Sequence, residues 1–235
     1  MTIKSQQIRI KPDFILAISF FLMMVLLQAC DTVESGNVDQ QRIVTEFTMT
    51  YDLEEDKTLA KAVFLADETH LILSPPAEIT FENTLLPKTE TLGFVAYKKT
   101  FDGNYQTGTF FYSDLNGDEY TNTIVLADSL ILADTLHLSL SGDGLLHWQG
   151  NPIAVNEEIS AVIEASEGTL FLALNDQENA SAIQFPTTEI SEEFIGTHTI
   201  WMQRRETQDL QDATEAGGIL KSVFQSNKAV LKITE

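Results

Sequence analysis

The chain has 235 residues, a formal net charge of −21 at pH 7 and a hydrophobic fraction of 43%. This length suits one large or two small domains, and the apolar content is too high for a chain that is disordered throughout. The strongly negative charge would repel phosphate backbones, so it excludes nucleic acid as a partner.

The first 29 residues show the pattern of a secretory signal, with a basic start, an apolar middle and a small residue at the end. Lys4, Arg9 and Lys11 precede an apolar run from position 14 to position 27. A helix needs about 20 apolar residues to cross a bilayer, so this run is short for a membrane span. An uncleaved membrane anchor is one alternative, and a signal peptide without lipid attachment is another.

Residues 27–30, Leu-Gln-Ala-Cys, resemble the processing site of bacterial lipoproteins, and Cys30 is the only cysteine in the chain. The resemblance implies that the Cys30 thiol receives a diacylglycerol, that the chain is cut before it, and that the new amino terminus is acylated. Several acyl chains together anchor a protein stably, whereas one binds weakly. We therefore expect a lipid anchor in the bacterial cell envelope. Asp31 resembles an inner-membrane retention signal, but that rule differs between bacterial groups, so the choice between inner and outer membrane is left open.

Cleavage before Cys30 would leave a mature chain with a net charge of about −23, because residues 1–29 contain three basic residues and one acidic residue. Such a charge opposes binding to anionic headgroups and favours solubility. Residues 31–41 are polar and lack a periodic apolar pattern. We predict that residues 30–42 form a lipidated, flexible tether that precedes the folded part.

From residue 43 onward, apolar and polar residues alternate, and clusters of Asp, Gly, Asn and Pro separate the alternating runs. This period of two predicts an all-β chain of short antiparallel strands. The strand spacing and the hairpin at residues 110–124 resemble the Ig-like sandwiches of bacterial envelope proteins, without the Cys…Trp…Cys core of antibody domains. The best candidate for a helix is residues 207–216. Strands are predicted at residues 43–51, 59–66, 70–73, 79–81, 92–98, 107–113, 120–127, 136–141, 145–148, 159–165, 169–174, 197–204, 219–224 and 229–234.

A segment in the first half of the chain is echoed 67 residues later. ADETHLILS at residues 66–74 resembles ADTLHLSLS at residues 133–141, and further apolar positions match at the same shift. Local similarity between strands could explain part of this match. A constant shift favours two homologous domains, so we predict one Ig-like β-sandwich at residues 43–127 and a second at residues 128–235.

The sequence Asp-Leu-Asn-Gly-Asp resembles the start of an EF-hand or dockerin calcium loop, with Asp114, Asn116 and Asp118 at the first three ligand positions. Such a loop also needs Gly at position 6 and a carboxylate at position 12. Here those positions hold Glu119 and Val125. Asn-Gly between alternating strands instead favours a hairpin turn. We expect a turn, with weak calcium binding as the alternative and no other cofactor.

Eight aromatic residues lie between positions 94 and 120. On the strand predicted at residues 107–113, Phe110 and Tyr112 face one way and Phe111 the other, since side chains alternate along a strand. One set could form an exposed face for a glycan or a protein, with Phe110, Tyr112 and Tyr97 as its members. The alternative, which general burial tendencies favour, is that these rings form the core.

Other candidate sites lack the residue spacing that catalysis or metal binding requires. The four histidines show no HxH or HExxH spacing, so a zinc site is not expected. Adjacent glutamates could serve a hydrolase, but neighbours on a strand point to opposite faces. The doublet Arg204-Arg205 could hold an acidic partner or pair with nearby acids. The histidines are His70, His137, His147 and His198, and the glutamate pairs are Glu54-Glu55, Glu157-Glu158 and Glu192-Glu193.

The sequence contains no phosphate-binding loop, dinucleotide fingerprint or GxSxG motif. We therefore predict a lipid-anchored envelope protein with a binding or structural role and no catalytic role. Its partner would be another envelope protein, recognised by surface complementarity, while the lipid on Cys30 confines the search to the membrane. A carbohydrate-recognition module is the first alternative, and a carboxylate-dependent hydrolase is the second.

Overall fold

The computed structural model describes residues 32–142, 144–164, 170–185 and 194–235. These residues form short β-strands and two single-turn 3-10 helices, Ser35–Asn37 and Gln40–Arg42. The strands of the first half are β1 (Val33–Glu34), β2 (Val44–Asp52), β3 (Lys57–Ala66), β4 (Thr69–Ile72), β5 (Glu78–Phe81), β6 (Thr84–Leu85), β7 (Lys88–Thr91), β8 (Phe94–Asp102), β9 (Thr107–Ser113) and β10 (Glu119–Val125). The strands of the second half are β11 (Thr135–Ser139), β12 (Leu145–His147), β13 (Glu157–Glu164), β14 (Leu170–Asn175), β15 (Ala182–Gln184), β16 (Gly196–Asp209), β17 (Gly218–Gln225) and β18 (Ala229–Thr234).

The all-β prediction is confirmed, and every predicted strand overlaps an observed one. The alternation has the expected consequence in β2, where Phe47, Met49 and Tyr51 are buried and the residues between them are partly exposed. The predicted helix at residues 207–216 is wrong. Its first three residues extend β16, and the remainder belongs to the loop that connects β16 to β17.

In the first half, two sheets pack face to face. One has the strand order β1-β4-β3-β2, with β8 paired to β3 and β7 paired to β8, and the other has the order β10-β9-β5-β6. The rings between the sheets are in contact: Phe47 stacks on Phe110 with centroids 4.9 Å apart, and Phe64 lies 4.7 Å from Tyr112. Burial of aromatic rings therefore supplies much of the packing in this sandwich.

In the second half, the long strand β16 is central. Along one edge it pairs with β18 and then with β17, and along its other edge it pairs with β13, which in turn pairs with β14. β11 joins β18 in parallel, and β12 and β15 form a small separate sheet. Ile159, Ile200 and Leu231 lie on the covered face of the larger sheet and are fully buried.

Main-chain pairing joins the two halves. β17 runs parallel to β2, with Gly218 opposite Thr45 and Gln225 opposite Asp52, so one sheet continues from the first half into the second. β1–β4 and β11–β18 are also parallel, whereas the other pairings among the described strands are antiparallel. The division near residue 127 stays a prediction, and this pairing crosses it.

Residues 33–42 are folded onto the first sandwich, which corrects the prediction of a flexible tether for this part of residues 30–42, while residues 30 and 31 lie outside the described residues. β1 pairs with β4, and both Ser35 and Gln40 are buried. The Gln40 Nε2 donates to the Ser35 carbonyl at 2.8 Å, and the Ser35 Oγ accepts from the Ser74 N–H at 2.9 Å. Because these polar side chains find partners in the fold, a polar segment can be buried here.

The predicted lipid anchor is a separate matter from this docked segment. Cys30 and the apolar run at residues 14–27 lie outside the described residues, so the anchor stays a prediction. In the part of the chain that the structure describes, no helix has the length and apolar character needed to cross a bilayer.

Candidate binding surface

The rings named as a ligand face belong to the core of the first sandwich. Phe110 and Tyr112 are fully buried and Tyr97 nearly so, between the rings of the two facing sheets. The Tyr97 hydroxyl accepts a hydrogen bond from the Leu73 N–H at 2.7 Å, which fixes it inside. A ligand face needs exposed rings, and these three are covered by the opposite sheet.

Tyr112 differs from Tyr97 in one respect. Its hydroxyl is buried without a hydrogen-bond partner among the described residues, and so is the Oδ2 of Asp114. Burial raises the pKa of the Tyr112 phenol above its ordinary value, and the negative charge of Asp114 raises it further. The phenol is therefore neutral in the folded protein at any physiological pH.

Residues 114–118, where a turn is expected with weak calcium binding as the alternative, connect β9 to β10. The Oδ1 of Asp114 is buried and accepts from the Asn116 and Asp118 N–H groups at 2.8 and 2.9 Å, so this carboxylate holds the turn. Asn116 and Asp118 themselves are exposed. Among the described residues, no group of three or more His, Cys, Asp or Glu side chains is arranged to hold a metal ion. Calcium binding at this turn stays a prediction.

Three of the four histidines are tied to backbone carbonyls. His70 contacts the Val95 carbonyl at 3.2 Å through Nδ1, and its ring packs 4.3 Å from Phe94. His147 and His198 contact other carbonyls through one ring nitrogen each. His137 is exposed on β11. These contacts are structural, in keeping with the absence of zinc-ligand spacing.

The arginine doublet and one glutamate doublet pair with each other across β16 and β13. Arg204 is fully buried and donates to Oε2 of Glu157 at 3.0 Å, while Arg205 and Glu158 form an ion pair on the outer face. The alternation of strand side chains separates the two pairs onto opposite faces. Arg204 and Glu157 are therefore out of reach of an acidic partner or a substrate, whereas Arg205 and Glu158 are partly exposed and already paired with each other. Glu54-Glu55 is exposed in the turn after β2, and Glu192-Glu193 lies outside the described residues.

An exposed apolar row crosses the outer face of the second-half sheet. The register aligns Leu172 of β14 with Val162 of β13, and Val162 with Trp201 of β16. Leu172 is 64% exposed and Leu174, two residues along the same side of β14, is 55% exposed. Val162 and Trp201 are partly exposed. We call these four residues the outer apolar row.

The edge beside this row is open in the described part of the chain, where β14 pairs with β13 and with no strand on its other side. The N–H and C=O groups of an edge strand are a template for a further strand. Native edges are usually protected by charged side chains, yet the outward side chains of β14 include Leu172 and Leu174. This combination is typical of a surface that another chain covers.

A sequence signal for this surface exists in β14. Leu172 and Leu174 alternate with Ala173, so the strand is apolar on both faces, and one apolar face must then lie outside a two-layer fold. Trp201 carried no such signal, because a tryptophan before an arginine doublet fits a core position equally well. The pairing of β13 with β16 is what places Trp201 beside Val162.

Comparison with known proteins gives only weak matches to solved structures. No protein-family model matches the chain, and no curated protein matches it. The fibronectin(III)-like modules of Clostridium thermocellum CbhA align at 9% identity and a TM-score of 0.22, over 81% of this chain and 94% of theirs.

Two further solved structures show a similar degree of likeness. A tetra-tandem repeat from the extending region of a large adhesion protein aligns at 14% identity and a TM-score of 0.22, over 79% of this chain and 49% of that one. The Bacteroides ovatus SGBP-B protein of a mixed-linkage glucan utilization locus, in complex with a mixed-linkage heptasaccharide, aligns at 11% identity and a TM-score of 0.21. That match covers 77% of this chain and 55% of that one. Likeness at this level transfers no function.

Proposed function

We propose that the mature protein is a lipid-anchored component of the bacterial cell envelope that binds a protein partner through the outer apolar row. The observation that carries this proposal is the alignment of Leu172, Val162 and Trp201 on an outer sheet face, beside a strand edge that no described strand pairs with. Exposed apolar groups in contiguous rows are unfavourable in water and typically mark interaction surfaces. The lipid on Cys30 rests on the lipoprotein-like residues 27–30.

The neighbouring groups favour a protein over a sugar as the ligand. The Lys228 ammonium lies 5.7 Å from the centre of the Trp201 ring, over its face. A sugar that stacks on a tryptophan needs that face, whereas a peptide strand added at β14 uses main-chain groups and the side chains of Leu172 and Leu174. Glycan binding is the second candidate, now through Trp201 and not through Phe110 or Tyr112.

The outer apolar row lies far from the end of the protein that would carry the lipid. The register aligns Tyr51, Phe224 and Arg204 across β2, β17 and β16. Trp201 lies three residues beyond Arg204, on the side away from the start of β2. The distance along the strand direction from the level of Val44 to the level of Trp201 is therefore about ten residues, or roughly 30 Å at about 3.3 Å per residue.

Site-specific photo-crosslinking in intact envelopes tests the binding surface. A photoreactive amino acid replaces Leu172, and in a matched control it replaces Leu85, which is 58% exposed on β6 in the first half. We expect one recurrent protein adduct from position 172 that is missing from position 85 and weaker in a Cys30→Ser background. Equal adducts from both positions, or none from position 172, would overturn the proposed surface.

Tryptophan fluorescence separates the glycan alternative. Trp148 is buried, so a glycan that stacks on the outer row should change the emission of Trp201 alone. A titration signal that disappears in Trp201→Phe would favour carbohydrate recognition over protein binding. Intact-mass measurement of the protein extracted from membranes tests the anchor, since acylation adds mass to a chain that begins at Cys30.

A further inference from the structure

The turn between β7 and β8 presents an exposed leucine in an unusual backbone conformation. Leu92 is 90% exposed, and Leu92 and Gly93 both have positive φ, at 49° and 79°. Two-residue hairpin turns of this kind favour Asn-Gly or Asp-Gly, because a branched apolar side chain gains nothing from the left-handed region. A leucine at this tip therefore places an apolar side chain in solvent, in a backbone conformation that favours Asn or Gly.

The strand register shows where this tip lies. Val33 pairs with Leu71, so Thr32 lies at the level of His70, and His70 contacts both Phe94 and Val95. Phe94 is the first residue of β8 and is 44% exposed. The described chain therefore begins beside Phe94, at the turn end of the β7–β8 hairpin. Leu92, in the turn itself, projects further in the same direction.

The docked amino-terminal segment shortens the distance to the predicted lipid. Two residue steps separate Thr32 from Cys30, which is at most about 7 Å of extended chain. Without a flexible tether, a lipid on Cys30 would hold this end of the first sandwich at the membrane surface.

We infer that the Leu92 hairpin tip and Phe94 rest in the interfacial region of the bilayer beside the lipid on Cys30. This inference rests on the lipid anchor of the proposed function. The hairpin then fixes the orientation of the protein, and the outer apolar row, at the opposite end of the strand register, lies at a distance from the membrane. The anchor and the hairpin form two contacts with one bilayer, so the rotation of the protein relative to the membrane is restricted.

The charges around the tip fit a contact with a neutral bilayer. Leu92 is flanked by the uncharged Thr91 and Gly93, and Glu90 pairs with Lys88 at 3.0 Å. The Lys61 ammonium lies 5.0 Å from the centre of the Phe94 ring, so the Phe94 ring enters the interface only as far as this ammonium can stay among the headgroups. The overall negative charge still opposes anionic lipids, so apolar insertion and not headgroup charge supplies the attraction.

Hydroxyl-radical footprinting tests the contact. Protein expressed at full length and purified from membranes is placed in phosphatidylcholine vesicles. The reference sample is the same protein in detergent-free solution, after its lipid anchor has been removed by proteolysis near the amino terminus. Side-chain oxidation is compared between the two samples. A preparation in which Cys30 proves unacylated is coupled through its thiol to a maleimide-bearing lipid instead, so that the footprint is read in either case. We expect oxidation of Leu92 and Phe94 to fall several-fold on vesicles, with Leu172 and Leu174 unchanged.

Two variants make the footprint specific. Leu92→Asn suits the positive φ, so the fold is kept, and the protection of Phe94 should decrease. Leu172→Asn is the matched control and should leave the protection of Phe94 intact. Equal oxidation of Leu92 on and off vesicles would overturn the inference even when Cys30 carries lipid. An unacylated Cys30 in the native protein would instead overturn the anchor, and with it the native relevance of the contact.

Discussion

The Nη1 of Arg204 lies 3.0 Å from Oε2 of Glu157, and both side chains are inside the second half of the protein. The Arg204 guanidinium also donates to the Asn151 carbonyl, and Glu157 accepts from the Ala154 N–H at 2.8 Å. A buried ion pair of this kind ties two strands of the sheet to the loop that precedes β13. Removal of one partner lowers the free energy of unfolding strongly, because the other charge is then buried without a counterion.

Replacement of Arg204 should destabilise the protein far more than replacement of its neighbour. Arg204→Met leaves Glu157 unpaired in the interior, which we expect to lower the free energy of unfolding by about 3–5 kcal/mol. Arg205→Met breaks the ion pair with Glu158 on the outer face and should cost at most about 1 kcal/mol. Urea unfolding followed by fluorescence measures both. Similar losses for the two variants would contradict the burial of Arg204.

The two buried tyrosines of the first core should respond in opposite directions to loss of the hydroxyl. Tyr112→Phe removes a hydroxyl that has no partner among the described residues, so the free energy of unfolding should rise by about 1 kcal/mol. Tyr97→Phe removes the acceptor of the Leu73 N–H and should lower it by about 1–2 kcal/mol. Chemical unfolding of both variants at pH 7 gives the comparison, and a loss in Tyr112→Phe would show that its hydroxyl has a partner after all.

Much of the fold follows from period-two alternation, which is a local property of the chain. Residues 107–113 illustrate this: Phe110 and Tyr112 face the core and Phe111 between them faces outward, as strand geometry requires. The pairing of β2 with β17 is different, because it joins segments far apart in sequence and nothing local in either strand specifies it. The same holds for the outer apolar row, which exists only once β13 separates β14 from β16.

The positions of buried polar residues do not follow from a local sequence pattern. Ser35 and Gln40 lie in a polar segment that predicts a tether, yet both are buried because their hydrogen-bond partners come from the docked fold itself. Arg204 does pair with a nearby acid, Glu157, but the sequence pattern does not indicate that this pair is buried. Long-range satisfaction of polar groups decides these cases, and a sequence pattern does not record it.

At the junction between β2 and β17, replacement of Gly218 should be far more destabilising than replacement of the preceding residue, Gly217. A Cβ on Gly218 would overlap the Thr45 carbonyl oxygen and lie 2.8 Å from Leu210 Cδ1, so Gly218→Ala should lower the free energy of unfolding by about 3 kcal/mol. Gly217→Ala meets no atom within 4 Å and carries only the strain of φ +74°, about 1 kcal/mol. Thermal unfolding ranks the variants, and hydrogen exchange at the Thr45 amide reports on the pairing. Equal losses at the two positions would mean that β17 does not approach β2 this closely.

Alkaline pH should unfold the protein through its buried phenols. Burial raises the pKa of Tyr112 and of Tyr97 above the ordinary value of 10.0, so the folded state binds these protons more tightly than the unfolded chain. The stabilisation that results is fully present below pH 10 and is lost as the pH rises through the folded-state pKa values. Each buried phenol should then add up to about 1.4 kcal/mol per pH unit to the rate at which the free energy of unfolding falls with rising pH. Urea unfolding between pH 8 and 11.5 measures the slope, which should be shallower in Tyr112→Phe than in the parent chain. An unchanged slope would place the Tyr112 phenol in contact with water.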